Sequence, residues 1–127
     1  MQTKLDHLHL RCSDLEAAVR FYVDIFGAEV EGETVLAGMP TTRLNLGGTS
    51  FALSPPRQGV EIKVDGDEPG WGVYQIGLKV ADLDQAQSEL AAKGVSFSRG
   101  PVRVNDQLRV AFVDGPDGVE IELMQFS

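Results

Sequence analysis

His7-Leu8-His9-Leu10-Arg11-Cys12-Ser13-Asp14-Leu15 and Gln75-Ile76-Gly77-Leu78-Lys79-Val80-Ala81-Asp82-Leu83 are two versions of one pattern, set a constant 68 positions apart (75 − 7 and 82 − 14). In each, apolar and polar residues alternate with the period of two that belongs to a strand with one buried face. Leu8, Leu10 and Cys12 form one face of the first copy and His7, His9 and Arg11 the other. In the second copy Ile76, Leu78 and Val80 oppose Gln75, Gly77 and Lys79. Each strand then runs into residues suited to opening a helix, Ser13-Asp14 and Asp82, whose side-chain oxygens accept from the free amides of a first turn. A repeat of this length is the first thing to establish, because a duplicated architecture changes every later assignment.

Working outward, Leu15, Val19, Tyr22 and Phe26 recur at helical spacing and stop at Gly27, while Leu83, Ala86, Leu90 and Ala91 stop at Gly94. Shorter strand-like stretches follow each helix: residues 28–33, 41–46 and 49–53 in the first half, and 95–98, 108–113 and 119–124 in the second. Gly47-Gly48 and Asp114-Gly115-Pro116-Asp117-Gly118 mark the turns before the last strand of each half. Pro116-Asp117-Gly118 reads as a turn and nothing more. The pattern predicts an α+β fold of two βαβββ modules, residues 1–54 and 72–127, joined by a Pro-, Gly- and Asp-rich arm over 55–71 with an extended piece at 60–64. Each helix covers one face of its sheet. Two modules side by side would form a curved mixed sheet with both helices outside and the polar faces lining a concave cleft.

With 127 residues, 43% of them hydrophobic and 24% charged, the chain has the size and balance of one soluble domain. No apolar run reaches the ~18 residues of a membrane span, and the first residues lack the apolar core of a signal peptide, so the expected location is the cytoplasm. Eleven basic against nineteen acidic residues give a net charge of −8, which repels nucleic acid and anionic membranes in the absence of a basic patch. The partner implied is a small molecule. Cys12, the sole cysteine, has no intramolecular disulfide partner and reads as a buried, inert thiol.

His7, Gln75 and Glu122 share the polar face of the predicted modules, since Glu122 alternates away from Ile121 and Leu123. Imidazole nitrogen, carboxamide oxygen and carboxylate oxygen together suit Zn²⁺, Ni²⁺, Co²⁺, Mn²⁺ or Fe²⁺ with positions left for water or substrate. By spacing alone the metal signal is weak, and a lone histidine on a strand more often reads as an ordinary hydrogen-bonded structural residue. His9 faces the same way and reads as a pocket-lining or structural residue, with acid–base catalysis as the sharper alternative. Glu120 reads as a solvated surface acid. Trp71 and Tyr74 open the second module and can wall a pocket or pack in the core.

The stretch from Asp6 through Tyr22, followed by Gly27, and the ending from Phe112 through Leu123 resemble the corresponding parts of the vicinal oxygen chelate superfamily, which includes glyoxalase I, methylmalonyl-CoA epimerase, fosfomycin-resistance and bleomycin-resistance proteins. The resemblance extends over nearly the whole chain. It implies metal ligands at His7, Gln75 and Glu122, with Glu122 also the catalytic base, and a fourth ligand place that falls on Ala52, which has no donor atom. Arg11 and Ala52, at family positions, together with His9, Trp71 and Tyr74 read from the residues above, are the expected substrate-binding set. Arg11 falls where glyoxalase I has a basic residue near the glutathione carboxylate, yet Pro56 stands where that enzyme has an amide, so glutathione is not implied as the ligand. Three functions follow from the resemblance: a glyoxalase-like, metal-dependent lyase or isomerase of a small oxygenated molecule; a non-catalytic binder of bleomycin-resistance type, in which Trp71, Tyr74 and Phe51 supply stacking surface; or an Fe(II) extradiol-type dioxygenase. A homodimer is implied in each case.

Overall fold

The computed structural model describes residues 1–36, 38–62 and 72–127, and the chain divides into two compact units, Met1–Val64 and Asp65–Ser127. Each unit is a βαβββ module whose four strands form one mixed sheet, an α+β architecture made twice.

In the first unit, β1 (Leu8–Arg11) leads into helix α1 (Leu15–Arg20), followed by β2 (Glu29–Leu36), β3 (Met39–Leu46) and β4 (Thr49–Ser54). The sheet order is β1-β4-β3-β2, with β1 parallel to β4 and the other pairs antiparallel. Asp14 caps α1 as its type predicts, its carboxylate accepting from the Ala17 amide at 3.0 Å. The helix does not continue as a plain α-helix to Phe26. Phe21–Ile25 form a π-helical turn, closed by the Ala28 amide on the Tyr22 carbonyl at 3.0 Å. The apolar spacing of this segment fits either geometry, so the widened turn was not visible in it. Tyr22, Leu10, Leu44, Leu46, Phe51 and Leu53 meet in the core, where Leu53 and Leu44 are essentially inaccessible.

The second unit repeats the plan with β5 (Gln75–Lys79), α2 (Leu83–Ala92), β6 (Arg99–Asn105), β7 (Leu108–Asp114) and β8 (Glu120–Phe126) in the order β5-β8-β7-β6. Asp82 caps α2 by accepting from the amides of Asp84 and Gln85 at 2.8 and 3.1 Å. Leu83, Leu90, Ala111, Val113, Ile121 and Leu123 are buried. Gly115 opens the turn into β8, and a Cβ there would stand 2.7 Å from the Val119 carbonyl oxygen, so only glycine fits.

Two expected elements differ. The strand expected at 95–98 is instead the exit from α2, with the Val95 amide bonded back to the Leu90 carbonyl. Pairing begins at Arg99 and runs to Asn105, with irregular register between Arg99 and Val102 and again between Arg103 and Asn105. Gly100-Pro101 reads as a strand breaker in sequence. Here it forms a bulge at the outer edge of the sheet, where a missing amide costs no ladder bond. Gly100, at φ +82°, approaches the Val110 carbonyl so closely that a Cβ would meet it at 2.8 Å. The extended piece expected at 60–64 is not a strand over its described part, residues 60–62, where the Val60 amide closes a turn on the Arg57 carbonyl. No helix among the described residues is long and apolar enough to cross a membrane.

Candidate functional site

The two sheets put chemically matched positions in matched registers. In the first, Leu8 pairs with Phe51 and His9 with Ala52; in the second, Ile76 pairs with Ile121 and Gly77 with Glu122. Ala52 therefore holds in its sheet the place that Glu122 holds in the other. Ala52 is buried at 4% exposure, in a row that runs His9, Ala52, Arg43 across β1, β4 and β3. Phe51, one residue earlier, faces the opposite way into the core beneath Tyr22 and offers no stacking surface, which corrects the expectation for that ring.

His7 lies immediately before β1 and is exposed. Its Nδ1 stands 2.7 Å from Asp6 Oδ2, and the same oxygen accepts from Arg43 Nη2 at 2.9 Å. These two bonds hold the Asp6 carboxyl below the usual carboxylate range, the His7 bond being the larger cause. An ionised carboxylate only accepts, so Nδ1 carries the proton, and in the neutral ring Nε2 is the nitrogen with the lone pair. His9 is arranged the other way. Its Nε2 stands 2.7 Å from Ser54 Oγ, while the single Ser54 hydroxyl proton goes to the Pro55 carbonyl at 2.9 Å. His9 must therefore donate from Nε2, leaving Nδ1 as its basic nitrogen.

Desolvation lowers the His9 pKa first, and the charges of His7, Arg11 and Arg57 lower it further. The folded chain thus favours the neutral ring. Its contribution to stability is complete above the unfolded value of ~6.5 and is lost as pH falls below it, because the unfolded chain takes up the proton first. Thermal melts of the metal-free protein between pH 7.5 and pH 5 are expected to show a steeper fall for the native sequence than for His9→Gln. Parallel curves would contradict this.

Arg11 is exposed at the end of β1. Tyr74 is 49% exposed, and its carbonyl oxygen accepts from the Glu120 amide at 2.9 Å. Trp71 lies outside the described residues.

In the second unit Gln75 and Glu122 share one face of adjacent strands, one register step apart: Gln75 pairs with Glu120, and Gly77 pairs with Glu122. Glu122 is half-buried and has no hydrogen-bonding partner among the described residues. Glu120 is not the solvated acid its position suggested. Its side chain is 23% exposed, accepts from Gln75 Nε2 at 3.0 Å and forms an ion pair with Arg99. The Arg99 guanidinium in turn lies over the Phe112 ring, 3.8 Å from its centre. Because the Gln75 amide nitrogen faces a carboxylate, its Oε1 faces away and remains available.

His7 belongs to the first unit, Gln75 and Glu122 to the second. Among the described residues no three His, Cys, Asp or Glu side chains converge as metal ligands. The imidazole, carboxamide and carboxylate atoms left free fit a divalent ion in type. Sequence reading missed Asp6, Arg43, Ser54 and Arg99, because each acts through a partner distant in sequence or on an element whose position was unknown.

Residues 4–123 match the model of the glyoxalase/bleomycin resistance protein/dioxygenase superfamily. A probable lactoylglutathione lyase of Synechocystis is 28% identical over 127 residues, covering 95% of this chain and 94% of that protein. The metallothiol transferase FosB of Staphylococcus epidermidis is 28% identical over 124 residues, covering 95% and 80%. Among solved structures, a glyoxalase family protein from Enterococcus faecalis superimposes with a TM-score of 0.76 at 23% identity, covering 96% of this chain and 97% of that one. With the duplicated βαβββ plan and a match across nearly its whole length, this chain belongs to the glyoxalase/bleomycin resistance protein/dioxygenase superfamily.

Proposed function

We propose that the protein is a glyoxalase-like, metal-dependent lyase or isomerase acting on a small oxygenated molecule, with His7, Gln75 and Glu122 as ligands and Glu122 also as the base. The observation that carries this reading is Glu122: a half-buried carboxylate with no hydrogen-bonding partner among the described residues, on the sheet face that also bears Gln75. Its oxygens stay accessible and uncommitted to a protein partner among the described residues, which leaves both lone-pair sets for a ligand. The similarity to lactoylglutathione lyases supports the reaction class.

His7, Gln75 and Glu122 would hold a divalent ion, which when bound would supply Lewis-acid chemistry toward substrate oxygens. Glu122 takes the proton from the carbon beside the substrate carbonyl. The pairing of two copies belongs to the same proposal.

The test is metal uptake by elemental analysis after loading with Zn²⁺, Ni²⁺, Co²⁺, Mn²⁺ or Fe²⁺, followed by deuterium incorporation next to the carbonyl of small α-oxygenated ketones and aldehydes in D₂O. Uptake near one ion per chain with solvent exchange is expected. A chain that takes up no ion and catalyses no exchange refutes the reading. One observation favours the binder as second reading: Ala52, a residue without a donor, occupies the place equivalent to Glu122. Quenching of Trp fluorescence by aromatic compounds without metal uptake is the result that reading requires.

A further inference from the structure

Both His7 and Gln75 are held by the same construction, a carboxylate that is itself anchored by an arginine from another strand. In the first unit Asp6 accepts from His7 Nδ1 at 2.7 Å and from Arg43 Nη2 at 2.9 Å, Arg43 lying on β3. In the second unit Glu120 accepts from Gln75 Nε2 at 3.0 Å through Oε2, while its other oxygen takes Arg99 from β6. Asp6 precedes His7 in the chain, whereas Glu120 faces Gln75 across the β5–β8 pair. The sequence repeat carries neither partner at an equivalent position, so each half reaches the same arrangement by different residues.

We propose that Asp6 and Glu120, anchored by Arg43 and Arg99, are positioning residues that fix the His7 tautomer and the Gln75 amide orientation, so that His7 Nε2 and Gln75 Oε1 are presented to a divalent cation. The inference rests on the reading of His7 and Gln75 as metal ligands. Its physical basis is that each side chain has two different ends, only one of which has a lone pair suited to a cation. The neutral imidazole must carry its proton on the other nitrogen, and the amide must turn its NH₂ away. A hydrogen bond to a carboxylate enforces both choices before any ligand arrives and raises the donor strength of the free atom. The arginines tether the carboxylates in these orientations. Arg99 is fixed by its contact with the Phe112 ring, and Arg43 sits on a strand paired on both sides.

The test has a metal-free arm and a metal arm. In the metal-free protein at pH 8, nitrogen-15 NMR is expected to show His7 as the Nδ1–H tautomer. In Asp6→Ala it reverts to the Nε2–H form that free imidazole side chains favour. A native His7 already in the Nε2–H form overturns the proposal without any appeal to metal. For the metal arm, calorimetric titration with Ni²⁺ alone is expected to give an affinity 10–100-fold weaker in Asp6→Ala and in Glu120→Ala, the range typical of lost partners behind a ligand. Asp6→Asn and Glu120→Gln, which keep an accepting oxygen, are expected to recover most of that loss. Asp6 is exposed, so its variants keep the arm interpretable even where Glu120→Ala impairs folding. Alanine variants that bind Ni²⁺ as the native protein does overturn the positioning role and leave the metal reading standing. A native protein that binds no Ni²⁺ removes the metal reading, and the positioning role with it.

Discussion

Replacing Glu122 with glutamine is expected to empty the proposed metal site while leaving the fold intact. In the proposed donor set His7 and Gln75 are neutral, so Glu122 supplies its entire formal negative charge. Loss of partners behind a ligand costs about 10–100-fold in affinity, and removal of the charged ligand itself is expected to cost roughly 100-fold or more. After loading and dialysis, elemental analysis of Glu122→Gln should find less than about a tenth of the metal held by the native chain. Stability is expected to stay within about 0.5 kcal/mol, because the carboxylate has no hydrogen-bonding partner among the described residues to lose. Unchanged metal content would remove Glu122 from the site, and a large fall in stability would give it a structural role instead.

Leu53→Ala is expected to have the largest effect on stability. Leu53 is fully buried on β4, the strand that pairs with both β1 and β3, and its side chain meets Leu10, Tyr22, Leu44, Leu46 and Phe51. Truncating a leucine so enclosed removes its transfer free energy and leaves a cavity that a well-packed core fills only in part, a loss of about 2–5 kcal/mol. Urea unfolding should show a lower midpoint with an unchanged slope. A loss below about 1 kcal/mol would mean that the core beneath Tyr22 closes around the vacancy far better than its packing implies.

The duplicated plan was legible because its signals are local. Alternation at Leu8, Leu10 and Cys12 and at Ile76, Leu78 and Val80 marked the first strands, and Asp14 and Asp82 marked the helix starts. The final strand was legible through Ile121 and Leu123. What escaped was whatever depends on partners. Strand β6 begins at Arg99 rather than within the stretch expected at 95–98, and the bulge at Gly100-Pro101 beside Val110 interrupts the alternation that would have marked it. The π-helical turn at Phe21–Ile25 keeps the same apolar residues on nearly the same side as an α-helix. Glu120 read as a surface acid because Arg99 lies 21 residues away on that misplaced strand. Likewise, nothing near His9 announces Ser54, 45 residues on, as the group that sets its protonated nitrogen.

The irregular outer strands bear on how such a molecule stays apart from its neighbours at high concentration. β2 and β6 each terminate a sheet, and both carry exposed valines, Val30 and Val35 on one and Val102 and Val104 on the other. Flat strands of that composition would invite end-to-end addition of further chains and the growth of fibrils. The register breaks at Val30/Gly32 and Arg99/Val102, the proline at 101 and the glutamates at 29, 31 and 33 twist, interrupt or charge those margins. Straightening them would exchange a soluble margin for an adhesive one.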